Sequence, residues 1–395
     1  MLENLEPLPV DPILGLAALA RADTRAQKVD LTVGVYMDDS GHCPVFRAVQ
    51  QAQHELAQQE STKAYLPPAG DERFNAGMQQ LLLGADSAAL RDGRVSSIQT
   101  PGGCGALRIS SEVVFSASPD ARVWVSNPTW PVHIPLLGSV GLEFQSYRYY
   151  NPVDHSVDFD AMVEDLQAAR SSDVVLLHGC CHNPSGADLN LEQWAVIAAM
   201  AQAQGFTPMV DIAYQGLADG LEADAAGLRL LVEQLPEVII AASCSKNMGL
   251  YRERTGAAVF VCQNTQTASR TLDQAKAAAR RVYSMPPAHG ALLAGRILSD
   301  ATLGTLWREE LAQMCQRINR TRGELRAALQ QHSGVDFAFI ERERGMFSFL
   351  GLSIEQAVRL REEYSLYMLE SSRINVAGVN ADNIDYVAQS VAAVL

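Results

Sequence analysis

The segments DFDAMVEDLQAAR, VVLLHG, LEQWAVIAAMAQAQ, PMVDIAY, DAAGLRLLVEQL and EVIIAAS follow one another from Asp158 to Ser243, and they constrain the fold more than any other feature. In the first, Asp158 can cap a helix whose Phe159, Met162, Val163 and Leu166 recur at helical spacing. VVLLHG, PMVDIAY and EVIIAAS are short, continuous apolar runs of the kind that fill buried strands. The helical stretch before PMVDIAY closes at Gly205. Strands that alternate with helices, and are apolar on both faces, predict an α/β fold with a mainly parallel sheet covered on both sides. GAAVFVC, Gly256 to Cys262, reads as one more strand whose direction the sequence leaves open.

After about residue 300 the pattern changes. A long helical region, TLWREELAQMCQRINRTRGELRAALQQH, precedes FAFIER, the turn RGMFSFLG and a further helix. This predicts a smaller α+β domain formed by residues 302–395, with 1–40 packed on it, beside a large domain over 41–301. The charged run Glu341 to Arg344 reads as a solvated surface turn.

The net charge of −14 argues against a nucleic acid or an anionic membrane as the main partner. No apolar run approaches the ~20 residues needed to span a bilayer, and the N-terminus lacks the basic and apolar blocks of a secretory signal. Cys43, Cys104, Cys180, Cys181, Cys244, Cys262 and Cys315 show neither zinc spacing nor a disulfide framework. They read as reduced, packed thiols in a cytoplasmic protein, with no metal site.

Ligands of open α/β sheets bind outside the carboxyl ends of the strands. Four segments fall there: TPGGCGAL, HGCCHNPSG, DIAYQG and SCSKNMG. The glycines of the first allow a sharp turn, and a helix starting at about Ala106 would aim free N–H groups at an anion. The loop is neither a dinucleotide fingerprint nor a Walker loop. Asp211, in an apolar strand, needs a cation or strong donor, and by itself it reads as a structural salt bridge or a helix cap. Lys246 ends another such strand. A partly desolvated lysine forms Schiff bases with aldehydes. Pyridoxal phosphate requires that lysine, an acid for its pyridine nitrogen and a cradle for its phosphate.

TPGGCGAL, SNPTWPVH, HGCCHNPSG, DIAYQG, SKNMGLYRERTG, YSMPPAHGA, RGMFSFLGL and SSRINVAG together resemble the class I aminotransferases of the aspartate and aromatic subgroup. The resemblance runs in family order from DPILGL to the C-terminus. It implies fold type I, pyridoxal 5'-phosphate and a homodimer with shared active sites. Lys246 would be the Schiff-base lysine and proton shuttle. Asp211, backed by His133, would pair with the pyridinium nitrogen. Asn183 and Tyr214 would bind the ring oxygen, and Trp130 would stack on the ring. Gly102, Gly103, Cys104, Ser243 and Arg254 would hold the phosphate, with Tyr65 reaching in from the second subunit. Arg373, helped by Asn183 and the backbone at Gly34, would clamp the substrate α-carboxylate. Arg280 of the second subunit would face a distal carboxylate. Only the motif register, four residues before Ser284, selects Arg280 over Arg281. His178 reads as a satisfied core histidine and stays outside the site.

Several positions depart from the aspartate-preferring pattern: Met37, Cys43, Ala64, Cys104, Met285 and Leu350 are less polar than is usual, and Met248 stands in place of phenylalanine. Apolar lining favours an aromatic side chain, at about 25 cal/mol per Å² of contact, and methionine adapts to ring faces. The expectation is a ping-pong aminotransferase acting on aromatic or acidic L-amino acids and 2-oxoglutarate, with aromatic substrates favoured. The alternatives are an aspartate aminotransferase with little aromatic activity, a pyridoxal-phosphate lyase, and a non-catalytic binding protein of the same body.

Overall fold

The structure is a computed structural model that describes residues 1–8 and 11–395. The chain divides into two compact units. The larger comprises Pro44–Asn183 and Ala187–Arg317, and the smaller Met1–Cys43, Pro184–Gly186 and Ile318–Leu395.

The larger unit is built on a seven-stranded sheet. In chain order its strands are β1 (Val95–Pro101), β2 (Arg122–Asn127), β3 (Glu143–Arg148), β4 (Val174–His178), β5 (Thr207–Ile212), β6 (Val238–Ser243) and β7 (Thr255–Val261). Across the sheet they run β1-β7-β6-β5-β4-β2-β3. All pairings between β6 and β3 are parallel, whereas β7 runs antiparallel to both β6 and β1. GAAVFVC is therefore the one reversed strand. Its register sets Thr255 opposite Pro101 and Gly256 opposite Ser243, so the start of β7 meets the ends of β1 and β6.

Ile98, Leu107, Ile109, Val123, Leu176 and Met209 belong to one apolar core under this sheet. The helix Leu191–Gln204 has a capping box, Asn190 with Gln193, and ends at Gly205 with φ +85°. Helix α1 spans Gly102–Ala117 and begins at the glycines themselves, not at Ala106. A Cβ on Gly105 would stand 2.7 Å from Pro101 Cδ, and one on Gly256 would stand 2.5 Å from the Gly102 carbonyl carbon. The first turn of α1 is pressed against its neighbours, and close approach outweighs the low helix propensity of glycine.

In the smaller unit Val29–Asp30 pairs in parallel with Leu366–Tyr367, which ties the N-terminal segment to the C-terminal part. Phe347–Phe349 pairs antiparallel with Arg373–Asn375. Leu31, Leu325, Ile340, Leu360, Ile374 and Val391 fill its core. The boundary between units, Arg317/Ile318, falls inside the helix Ala301–Ser333. The run Glu341 to Arg344 departs from the expected solvated turn, because Glu343 is 1% exposed and paired with Arg322. Among the described residues, no helix is long and apolar enough to cross a membrane.

Asp173, just before β4, has a fully buried side chain. It accepts bonds from Arg122 Nη2 (2.6 Å), Trp124 Nε1 (3.0 Å) and the Arg170 backbone (3.0 Å). Burial opposes its ionisation, but the Arg122 guanidinium and the other donors hold the carboxyl well below the usual aspartate range. A depressed folded-state pKa contributes stability above the unfolded range, and that stability is lost as pH falls. Asp173→Asn is expected to cost about 3 kcal/mol at pH 7, as one partner of a buried pair is removed. It should also flatten the acid loss of stability below about pH 4. Urea denaturation across pH measures both.

Candidate active site

At the carboxyl edge of the large sheet, β1 delivers Gly102, Gly103 and Cys104, β5 delivers Asp211 and Tyr214, and β6 delivers Ser243 and Lys246. The reversed β7 starts immediately after Arg254, at the same edge. Gly102 has φ +69°, and a Cβ there would lie 2.6 Å from Arg254 Nη2. A Cβ on Gly103 would lie 3.3 Å from Ser243 Cβ. Glycine at both positions leaves backbone N–H groups of a sixteen-residue helix beside a guanidinium and a serine, an arrangement that favours a dianion. Ser245, which the sequence reading missed, joins this group. Ser243 Oγ donates to Ser245 Oγ (2.9 Å), which also accepts from Arg254 Nη1 (3.4 Å). Burial pushes the Cys104 thiol up, with Arg254 pulling the other way.

Lys246 Nζ stands 4.5 Å from the centroid of the Tyr214 ring. Burial lowers its pKa and the Arg254 charge adds to that, while Asp211 and Cys104 oppose it. The amine is thus biased toward the neutral, nucleophilic form.

Asp211 Oδ2 is 2.9 Å from His133 Nε2. Burial raises the cost of the charge, yet the bond from His133 and the charges around it keep the carboxyl below its ordinary value. Behind His133 lies a chain of bonds. His133 Nδ1 is 2.8 Å from Thr129 Oγ1, which is 3.1 Å from His178 Nε2, and His178 Nδ1 accepts from the Asn183 backbone N–H at 3.4 Å. Burial depresses His178 to about 3, so its imidazole is neutral. The donors available fix the direction at the His178 end. The Asn183 N–H can only donate, so His178 carries its proton on Nε2 and gives it to the Thr129 oxygen. The Thr129 hydroxyl donates to His133 Nδ1 when that ring is neutral, and in either protonation state His133 Nε2 carries the proton that faces Asp211. His178, taken from sequence as a core histidine, is the head of this relay. The signal was present: it ends β4 in direct register with Asp211 on β5. Thr129 gave no signal. Trp130 packs edge-on to His133, with ring centroids 5.2 Å apart.

In the smaller unit, Arg373 is 2% exposed. Its guanidinium carbon lies 4.4 Å from the centroid of the Phe347 ring, and Nη2 donates to Thr32 O at 2.6 Å. Gly34 is held to glycine by the same ring, since a Cβ would come 2.7 Å from Phe347 Cζ. Tyr65 is 90% exposed. Arg281 pairs with Glu112 at 3.1 Å, whereas the exposed Arg280 donates to Ser284 Oγ. Met248 and Leu350 are buried, Leu350 in the apolar core of the smaller unit, so packing accounts for both.

Residues 26–391 match the family model described as aminotransferase class I and II. The chain belongs to this family. It is 47% identical over 396 residues to the aspartate aminotransferase of Escherichia coli (strain K12), covering 100% of both. It is 45% identical over 394 residues to the aromatic-amino-acid aminotransferase of Paracoccus denitrificans, covering 99% of both. A solved aromatic-amino-acid aminotransferase from Burkholderia pseudomallei, covalently bound to pyridoxal phosphate, superposes with a TM-score of 0.98 at 40% identity, over 100% of this chain and 99% of that one. The fold of this aminotransferase is therefore type I, with its α/β sheet intact.

Thr129→Val removes the hydroxyl that joins His178 to His133 in this aminotransferase. The expected cost is about 1–2 kcal/mol, for donors and acceptors left unsatisfied. Chemical denaturation gives that value. A downfield shift of the His133 Nε2 proton in the parent, lost or moved in the variant, would report the relay by NMR.

Proposed function

We propose that the chain is a pyridoxal-phosphate aminotransferase that exchanges the amino group between an aromatic or acidic L-amino acid and 2-oxoglutarate in two half-reactions, favouring aromatic substrates. One observation carries the reading. An amine with a lowered pKa, Lys246, shares a sheet edge with the Asp211–His133 pair and with a glycine-lined, arginine-flanked helix start.

Those residues fit pyridoxal 5'-phosphate. A Cβ on Gly102 would press on the Arg254 guanidinium and one on Gly103 would crowd Ser243, so glycine at both keeps the cradle open, and the partly buried carboxylate and amine match a ring nitrogen and an aldehyde. When bound, the cofactor supplies an aldehyde for the amine and an electron sink for the substrate. In this reading Lys246 Nζ takes the proton from the substrate Cα, and its lowered pKa keeps it available as a base. Asp211, held anionic by His133, keeps a proton on the ring nitrogen. Asn183 and Tyr214 bind the ring oxygen, and Trp130 covers the ring. Gly102, Gly103, Cys104, Ser243 and Arg254 hold the phosphate, with Tyr65 from the second subunit of a homodimer. Arg373 takes the α-carboxylate as a bidentate fork, with Asn183 and the Gly34 backbone. Arg280 of the second subunit meets a distal carboxylate. The seven free thiols accord with a reducing compartment such as the cytoplasm.

Relatives named for aspartate and for aromatic amino acids stand at 47% and 45% identity, so similarity does not separate the two preferences. Met37, Ala64 and Met285 favour the aromatic side; aspartate with little aromatic activity is the alternative.

The chain has four lysines, Lys28, Lys63, Lys246 and Lys276. Borohydride reduction of the loaded protein followed by peptide mapping should place the pyridoxyl group on Lys246, and label on any of the other three refutes the reading. Arg280→Ala should lower kcat/KM for aspartate and glutamate by ~3 kcal/mol or more, as a buried charge pair is lost. Phenylalanine and tyrosine should stay within about tenfold of the parent, or ~1.4 kcal/mol. Mixing this variant with Lys246→Ala should restore part of the dicarboxylate activity through hybrid dimers. No recovery despite subunit exchange counts against shared sites. A parent that prefers aspartate a hundredfold over phenylalanine establishes the alternative.

A further inference from the structure

Arg322 is among the most deeply buried large side chains of the protein, at 2% exposure. Its guanidinium grips the turn that leads into the strand Phe347–Phe349. Nε and Nη2 donate to Gly345 O (3.1 and 2.8 Å), Nη2 also to Phe347 O (2.5 Å), and Nη1 to Ile340 O (2.8 Å). Carbonyls satisfy its donors but not its charge. The acidic group nearest that charge on this turn is Glu343, 1% exposed, whose Oε2 lies 3.4 Å from Nη1. The other carboxylate oxygen has no hydrogen-bond partner among the described residues. Glu343 therefore meets the arginine through one oxygen, which accepts from Nη1. The backbone at Gly186 closes over the pair: a Cβ there would stand 3.0 Å from Glu343 Cβ and 2.6 Å from Phe347 O. Burial pushes the Glu343 carboxyl up to about 8, with Arg322, Ser348 and Arg342 acting against it.

The residue that Arg322 holds by its carbonyl is the one whose ring carries Arg373. The Phe347 ring centroid is 4.4 Å from the Arg373 guanidinium carbon, and the same ring abuts Gly34. Phe347 pairs with Asn375, whose Nδ2 donates to Val33 O and Val35 O and so fixes the backbone on either side of Gly34. A guanidinium already stacked on a fixed ring loses less freedom when it takes a carboxylate.

We propose that Arg322 and Glu343 are positioning residues for carboxylate recognition, acting through Phe347 on the orientation of Arg373. The proposal rests on the reading of Arg373 as the α-carboxylate clamp. Neither residue need touch a substrate.

The test uses the loaded enzyme and 3-phenylpropionate as a simple carboxylate probe, with Kd read by calorimetry. Arg373→Lys is the control and should weaken binding at least tenfold. Arg322→Lys should also weaken the probe at least tenfold, with pyridoxal phosphate affinity within twofold of the parent. Its KM for amino acids should rise while kcat stays within threefold. Glu343→Gln, which keeps an acceptor oxygen against Arg322, should remain within threefold, whereas Glu343→Leu should lose at least fivefold. If Arg373→Lys weakens the probe and folded Arg322→Lys stays within twofold of the parent, the proposal falls and the clamp stands. If Arg322→Lys loses cofactor and probe affinity equally, its role is general support of the fold and the proposal also falls. Should Arg322→Lys fail to fold, Glu343→Leu decides, and a Kd within twofold of the parent overturns the proposal. A control that leaves binding unchanged overturns the clamp and the proposal together.

Discussion

A carboxylate at the end of a strand buried on both faces is tolerable only if something donates to it. In this chain the donor is His133, and most of what surrounds the site follows from that pairing. His133 reaches Asp211 through Nε2 while its other nitrogen is bonded to Thr129. Thr129 accepts a hydrogen bond from His178 and links it to His133. The neutral state of His178, forced by burial, fixes the direction at that end of the series. An anionic Asp211 is thus a property of three strand ends acting together.

The second organising feature is the reversal of β7. An all-parallel sheet would deliver only strand ends to this edge. With β7 reversed, the residue just before it, Arg254, arrives where β1 and β6 finish, and the register brings Thr255 to Pro101 and Gly256 to Ser243. A cation reaches the start of helix α1 without a long loop. The glycines then follow from crowding: Gly102 faces the arginine, Gly256 faces the Gly102 carbonyl, and Gly105 faces Pro101. Each would collide with its neighbour if it carried a Cβ.

The smaller unit solves a related problem in the opposite way. Asp211 is an anion at a strand end, held by its bond from His133 and the charges around it, whereas Arg322 is a buried cation shared among backbone carbonyls with one carboxyl group against it. Replacing such a pair with apolar residues often costs little, so its retention is better explained by what it orients than by net stability. What it orients here is the turn that carries Phe347, and with it the ring under Arg373.

Much of this was legible in the order of residues. Continuous apolar runs such as VVLLH and VIIAAS have one stable use, a sheet covered on both faces, so the α/β class and the gathering of four segments at its carboxyl edge could be read directly. Lys246 and Asp211 stood out because a charge beside such a run is costly unless it is used. Other facts depend on partners far away in the chain, which local pattern does not encode. The direction of GAAVFVC was one, since a buried strand looks alike in either sense. The start of α1 was another, decided by crowding against β7 and not by helix propensity. His178 passed for a core residue because its role depends on which strand lies beside β4. Glu343 passed for a surface charge because its partner Arg322 is twenty-one positions earlier. Composition and period determined the class of sheet and where its chemistry gathers. Strand register and packing across long separations decided which polar groups are paired, because the cost of burying a charge is set by the neighbour that tertiary structure brings to it.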